Sequence, residues 1–159
     1  MYARDQGIIA TPIGVVSVTA QNGAITAIRI GDAPIAPGSS DIVRAALDQL
    51  EAWFAGERRD FDLPLAKSRT DRGATLRAGL IAVGYGDSMS YGALARRLGS
   101  SARAIGQLCA RNPMPIIVPC HRILSAGGAL GAFSAGDGPA TKAWLLAHEQ
   151  RHRPFELTA

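Results

Sequence analysis

Cysteine is scarce: two thiols, Cys109 and Cys120, stand among 159 residues. They form no Cys-x-x-Cys pair, and the three histidines are scattered. This spacing draws neither a disulfide framework nor a zinc site, so no metal or other cofactor is expected. Charged residues are also few, at 19%, which argues against long disordered tails. Long apolar runs are missing, and none nears the roughly 20 residues of a membrane-spanning helix. The opening residues, Met1-Tyr2-Ala3-Arg4-Asp5, lead into no apolar signal segment. No membrane association is expected. The default compartment is a reducing cytoplasm, at the nucleoid if the source is bacterial, where a free thiol survives. Apolar residues, by contrast, are plentiful. At 47% hydrophobic, the chain can bury the core of one compact domain or two small ones, and it is read as a monomer. The net charge of +4 suits a polyanionic partner without requiring one.

Hydrophobic patterning divides the chain into two halves. Ile8–Ala10, Val15–Val18 and Ala24–Ile30 are rich in β-branched residues and predict a small antiparallel sheet. Turn-like Thr11-Pro12-Ile13-Gly14 and Gln21-Asn22-Gly23 separate them. Residues 31–39 read as a loop. Ser40 or Asp41 caps a helix reaching about Ala55, in which Val43, Ala46, Leu47, Leu50, Trp53 and Phe54 recur at helical spacing. Phe61-Asp62-Leu63 is expected as a last short strand. The fold class is thus a small α/β domain over 1–66, a polar linker over 67–73, and a mostly helical domain over 74–159. Helices are expected at Ala74–Val83, Tyr91–Leu98, Ala102–Arg111 and Lys142–Glu149, with a glycine-rich stretch over 125–139.

The chemistry concentrates in Arg111-Asn112-Pro113-Met114-Pro115-Ile116-Ile117-Val118-Pro119-Cys120-His121-Arg122. A free cysteine is most often buried and inert. Here it follows an apolar run and precedes a histidine and an arginine. A thiol reacts as its thiolate, and a neighbouring base or cation lowers its pKa. Adjacent side chains point different ways, so His121 is expected to act on the thiol through a water, oriented by Glu149 on the last helix. Cys109 sits on an apolar helical face and reads as core.

A second element is a helical hairpin. Ser90 caps its first helix, Gly99 ends it, and Ser100 or Ser101 caps the second. Any amphipathic hairpin looks similar. Arg96 and Arg97 read as phosphate contacts or a solvated face. Arg103 differs, since Ala102, Ala104 and Gly106 around it let a helix approach a groove closely and the arginine enter a base stack. The glycine-rich Gly127–Gly138 stretch reads as a flexible wall over a pocket.

These motifs resemble the O6-alkylguanine-DNA alkyltransferases, a likeness covering nearly the whole chain and strongest over Tyr85–Arg122 and Lys142–Glu149. The resemblance implies a ribonuclease-H-like first domain and a winged helix-turn-helix in the second. It implies repair of double-stranded DNA containing O6-alkylguanine, by flipping the base and transferring the alkyl group to Cys120 in a single irreversible turnover. By the family pattern, Cys120, His121, Glu149, Asn112 and Tyr91 are catalytic. Arg103, Ala102, Ala104, Gly106, Tyr91, Ser90 and Arg96 meet DNA. Tyr91, Met114, Pro115, Ile123, Phe133, Ser134 and Ala135 form the substrate pocket. The pattern also shows departures. Asp71, Arg72, Gly73 and Arg77 replace residues that usually include aromatics, and the charge of Arg72 and Arg77 is read as solvated, with a wider basic face as the alternative. A protein that recognises the lesion without transferring the group is the alternative; a thiol hydrolase ignoring DNA is less supported.

Overall fold

A computed structural model describes residues 4–153. Residues 1–3 and 154–159, the outer ends of the two expected domains, lie outside the described residues. The sheet is an antiparallel meander of β1 (Arg4–Thr11), β2 (Gly14–Gln21) and β3 (Ala24–Ile30), in that order. Tight turns at Pro12-Ile13 and Asn22-Gly23 set its register. Helix α1 (Asp41–Phe54) lies against it and buries Val43, Ala46, Leu47, Leu50 and Trp53, the stripe that a 3.6-residue period aligns.

The start of α1 is pinned to the sheet. The Ser40 hydroxyl accepts from the Val43 N–H, satisfying one free donor of the first turn. Asp5 on β1 accepts from the Ser40 N–H at 2.7 Å and from both serine hydroxyls beside it. The Ser40 main-chain hydrogen bond is the largest of the contacts that hold the Asp5 carboxyl well below the usual carboxylate range. Gly7 lets the helix approach this closely. A methyl added there would lie 2.6 Å from both Leu47 Cδ1 and Val43 Cγ1.

The second half is helical: α2 (Asp71–Ile81), α3 (Tyr91–Leu98), α4 (Ala102–Ala110) and α5 (Pro139–Arg151). Gly99 ends α3 in the left-handed region (φ 62°), and Ser101 caps α4, giving the expected hairpin. Two short strands, β4 (Met89–Ser90) and β5 (Ile123–Leu124), pair in parallel. They tie the start of α3 to the segment just after Cys120, and no pattern in two residues could announce them.

Other boundaries differ from the sequence reading. No strand forms at 61–63. Instead Ile25 exchanges hydrogen bonds with Pro64 and Ala66, a single bridge at Leu65. Pro64 has no N–H to extend it into a ladder. Helix α2 starts at Asp71, three residues into the expected linker, because Thr70 caps it. Helix α5 starts at Pro139 rather than Lys142, since proline suits a first helical position. The two halves share one continuous buried cluster. The Ile28 N–H donates to the Pro113 carbonyl at 2.9 Å, and His148 Nε2 donates to the Trp53 carbonyl at 2.8 Å.

Overpacking at Gly7 tests the sheet–helix contact, because Val43 is fully buried and stiff. Gly7→Ala is expected to cost about 1–3 kcal/mol, read as a lower urea midpoint with unchanged slope.

Candidate active site

The nucleophile segment is braced before it reaches the thiol. Asn112 Nδ2 donates to the Val118 carbonyl at 2.8 Å, and its Oδ1 accepts from the Met114 N–H at 3.0 Å. One side chain thereby closes the loop 112–118. Within that loop Ile116 has φ 76°, a left-handed conformation that costs a β-branched residue on the order of 1–3 kcal/mol. Burial of Ile116, Ile117 and Val118 holds it there. Cys120-His121-Arg122 then form one 3-10 turn that is buried throughout.

Behind this turn lies the Glu149 carboxylate, fully buried on α5. His121 Nε2 meets its Oε2 at 2.8 Å. Arg122 grips both oxygens, Nε to Oε1 at 3.0 Å and Nη2 to Oε2 at 2.8 Å, while Nη1 donates to the Val83 carbonyl. The Gly86 N–H donates to Oε1 at 3.1 Å. Burial opposes the charge on Glu149, but the His121 and Arg122 hydrogen bonds and the charge of Arg122 outweigh it and hold the carboxyl at about 2. An ionised Glu149 only accepts, so His121 Nε2 carries the proton. Burial pushes the imidazole pKa down, against the pull of Glu149, so the ring is neutral. Its Nδ1 is then a bare acceptor, buried and without a partner among the described residues.

Cys120 is 5% exposed. Burial pushes its thiol pKa up, more than the Asn112 hydrogen bond (Nδ2 to Sγ, 3.2 Å) and the Lys142 charge pull it down. The sequence reading expected neighbours to lower this pKa. In the folded protein desolvation wins, and the thiol is protonated at rest. It lines a cavity of about 100 Å³ with Tyr91, Gly106, Pro115, Phe133, Ser134 and Ala135. That space suits a few waters and is smaller than the about 300 Å³ at which ligand sites begin.

The comparisons with known proteins agree. Residues 75–151 match the family model described as 6-O-methylguanine DNA methyltransferase, DNA binding domain. A methylated-DNA–protein-cysteine methyltransferase of Mycolicibacterium paratuberculosis is 35% identical over 158 residues, covering 94% of each chain. The chain belongs to the O6-alkylguanine-DNA alkyltransferase family. The crystal structure of the Mycobacterium tuberculosis O6-methylguanine methyltransferase superposes with a TM-score of 0.81 at 32% identity, covering 99% of this chain and 98% of that one. A crystal structure of Mycobacterium tuberculosis OGT in complex with DNA matches with a TM-score of 0.78 at 33% identity, over 94% of both chains.

In this alkyltransferase the fold brings most of the predicted residues together, but not all. Tyr91, Pro115, Phe133, Ser134 and Ala135 line the thiol cavity. The Met114 and Ile123 side chains do not. Both are core, at 1% and 0% exposure, because the turn points them inward. Ser90 spends its hydroxyl on the Ala93 N–H. Arg96, Ala102 and Arg103 are exposed, Gly106 faces the cavity, and Ala104 faces the opposite side of α4. Cys109, read from sequence as core, is only partly buried and lines the cavity beside Cys120; burial pushes its thiol up to about 12.

Two residues not among the predicted site residues stand at the site's centre, Arg122 having been read only as a cation beside the thiol. Arg122 shares Glu149 with His121. Lys142, 1% exposed, donates from Nζ to the Ile123 carbonyl at 2.6 Å and lies 5.8 Å from the centre of the Tyr91 ring. A cation on an otherwise inward-facing stripe of α5 was the available signal.

The depressed Glu149 pKa has a definite sign in stability. Its contribution is full above its ordinary value of 4.5 and is lost as pH falls toward about 2. The stability gap between wild type and Glu149→Gln in urea titrations should therefore narrow across that range. A gap that stays flat would contradict the ionised assignment.

Proposed function

We infer that the protein repairs DNA by moving an alkyl group from O6 of guanine in a duplex onto Sγ of Cys120. The observation that carries this reading is the arrangement around one sulfur. Cys120 faces a walled cavity on one side, and the imidazole beside it is held neutral, with a free Nδ1, by a buried carboxylate–arginine pair. A general base in that state takes a proton without first losing one.

The step balances simply. An S–C bond forms at Cys120 while the C–O6 bond breaks. The thiol proton passes through a water to His121 Nδ1, and guanine leaves as a delocalised anion that is then protonated. Glu149 stabilises the resulting imidazolium. Coupling deprotonation to an occupied pocket fits the high resting pKa of the thiol, since the sulfur ionises where the electrophile waits. Among the described residues no group at the site is placed to cleave a thioether, which fits a protein that reacts once.

The remaining roles are assigned by the family pattern. Tyr91 donates toward the ring nitrogen N3 of the extruded base, and Ser134 toward O6. The main-chain carbonyls at Cys120 and Ile123 accept from the exocyclic amine; Lys142 takes one lone pair of the Ile123 carbonyl and leaves the other. A cavity of about 100 Å³ admits a purine only if the Phe133–Ala135 wall shifts outward. Arg103, exposed on the first turn of α4, fills the gap left in the stack, and the small residues around it let α4 enter the minor groove. The first half, over 1–66, serves as a ribonuclease-H-like scaffold. The part from the 67–73 connection onward acts as a winged helix-turn-helix module that carries the chemistry. The protein works as a cytoplasmic monomer, close to the nucleoid if its source is bacterial.

Incubation with duplex DNA containing O6-methylguanine, followed by intact-mass analysis, tests the reading. Wild type should gain the mass of one methyl group on Cys120, and Cys120→Ala should gain nothing while still binding DNA. A wild-type protein that binds the lesion but keeps an unreacted thiol would instead establish recognition without transfer. Arg103→Ala should slow transfer from duplex at least tenfold more than from free O6-benzylguanine, because only the duplex requires base extrusion. Equal slowing on both substrates would remove its intercalating role.

A further inference from the structure

Helix α4 separates two cavities of opposite character. Gly106, Cys109 and Ala110 face the small thiol cavity. Ala104, Gln107, Leu108 and Arg111 face a groove of about 730 Å³ between α4, the start of α2 and the 66–70 segment. At 3.6 residues per turn these two stripes lie about half a turn apart. Arg103 projects from the exposed strip between them.

The groove is basic. Lys67, Arg69, Arg72, Arg77 and Arg111 line it, and no acidic residue does. None of these five is ion-paired among the described residues. Arg72 and Arg77 are oriented by the fold: Arg72 donates to the Gly99 carbonyl at 3.1 Å and Arg77 to the Ala66 carbonyl at 2.9 Å. Arg77 is half-buried on the groove, while Arg72 is exposed at its edge, so the pair widens the basic face and stays in contact with solvent. Lys67, Arg69 and Arg111 are exposed at its mouth. Five unpaired cations without a carboxylate repel one another, which a polyanion would relieve.

We propose that this groove is the seat of the undamaged strand, holding its phosphates on the side of α4 opposite the thiol. The proposal rests on the base-flipping reading above. A helix lying in a minor groove has one sugar–phosphate backbone on each flank. The strand that yields the alkylated base must run along the thiol flank. Its complement then falls on the other flank, where the basic groove lies. The groove is sequence-blind, because it meets phosphates and not base edges. It gives the protein a preference for duplex over single-stranded lesions and keeps the complement in place while Arg103 occupies the stack.

Strand-selective neutralisation tests this. Phosphates of one strand of an O6-methylguanine duplex are replaced by neutral methylphosphonates, and affinity is measured for wild type and Lys67→Ala/Arg69→Ala. Neutralising the complement should weaken wild type markedly and the double variant little. Neutralising the damaged strand should weaken both alike. The double variant should also lose about one unit of log–log salt slope for each phosphate contact removed, on duplex but not on a single-stranded lesion oligomer. The charge-preserving Lys67→Arg/Arg69→Lys should retain the wild-type slope. A double variant that loses slope equally on single strands, or that stays sensitive to the neutralised complement, overturns the proposal. The underlying reading fails separately, and would do so if wild-type protein took no benzyl group from free O6-benzylguanine.

Discussion

The structure depends on one buried carboxylate. Glu149 comes from the last helix, yet it closes the turn that carries the nucleophile, accepting from His121, Arg122 and the Gly86 main chain. A carboxylate removed from water is costly unless every lone pair finds a donor. Here the donors come from two separated segments, Gly86 and His121-Arg122, that meet on a third, so satisfying the charge also assembles the site. The Arg122 guanidinium neutralises most of that charge. Burial keeps His121 neutral rather than an imidazolium, and the Arg122 charge adds to this against the pull of Glu149.

Burial shapes the nucleophile in the same way. Desolvation keeps the Cys120 sulfur protonated in the resting protein, and the Asn112 and Lys142 contacts offset this only in part. Such a thiol is shielded from adventitious electrophiles in the solvent. In the proposed transfer it becomes a nucleophile when a base, a water and an occupied cavity act together. The strain at Ile116 belongs to the same economy, as packing around residues 116–118 holds a backbone conformation that isolated isoleucine avoids. Helix α4 separates the thiol cavity from the basic groove. One flank bears the cavity wall, the other the cations, and an exposed arginine stands between them.

Much of this was legible from residue order. Strands and caps follow local rules: β-branched runs broken by Asn22-Gly23, Ser40 before the apolar stripe of α1, and Gly99 and Ser101 around the hairpin turn all appear where expected. The Asn112–Arg122 motif announced the reactive turn, and Glu149, named from the sequence as the partner of His121, meets it from 28 positions further along the chain. Less was legible where the deciding contact is long-range. The β4–β5 pair is two residues long on each side, too short to carry a period. Arg77 looks like an ordinary surface charge until the Ala66 carbonyl is seen to hold it. Met114 and Ile123 flank the motif but turn inward, while Cys109 turns toward the cavity.

The order of residues by itself determined which elements form and which atoms can react, because hydrogen-bond capping, backbone preference and side-chain nucleophilicity are properties of a residue and its near neighbours. Only the tertiary structure decided the protonation state of that sulfur, the sharing of Glu149 between imidazole and guanidinium, and the gathering of cations behind α4. Each of these depends on how much water is excluded and which charges are brought close, and both are set by parts of the chain that meet only when it is folded.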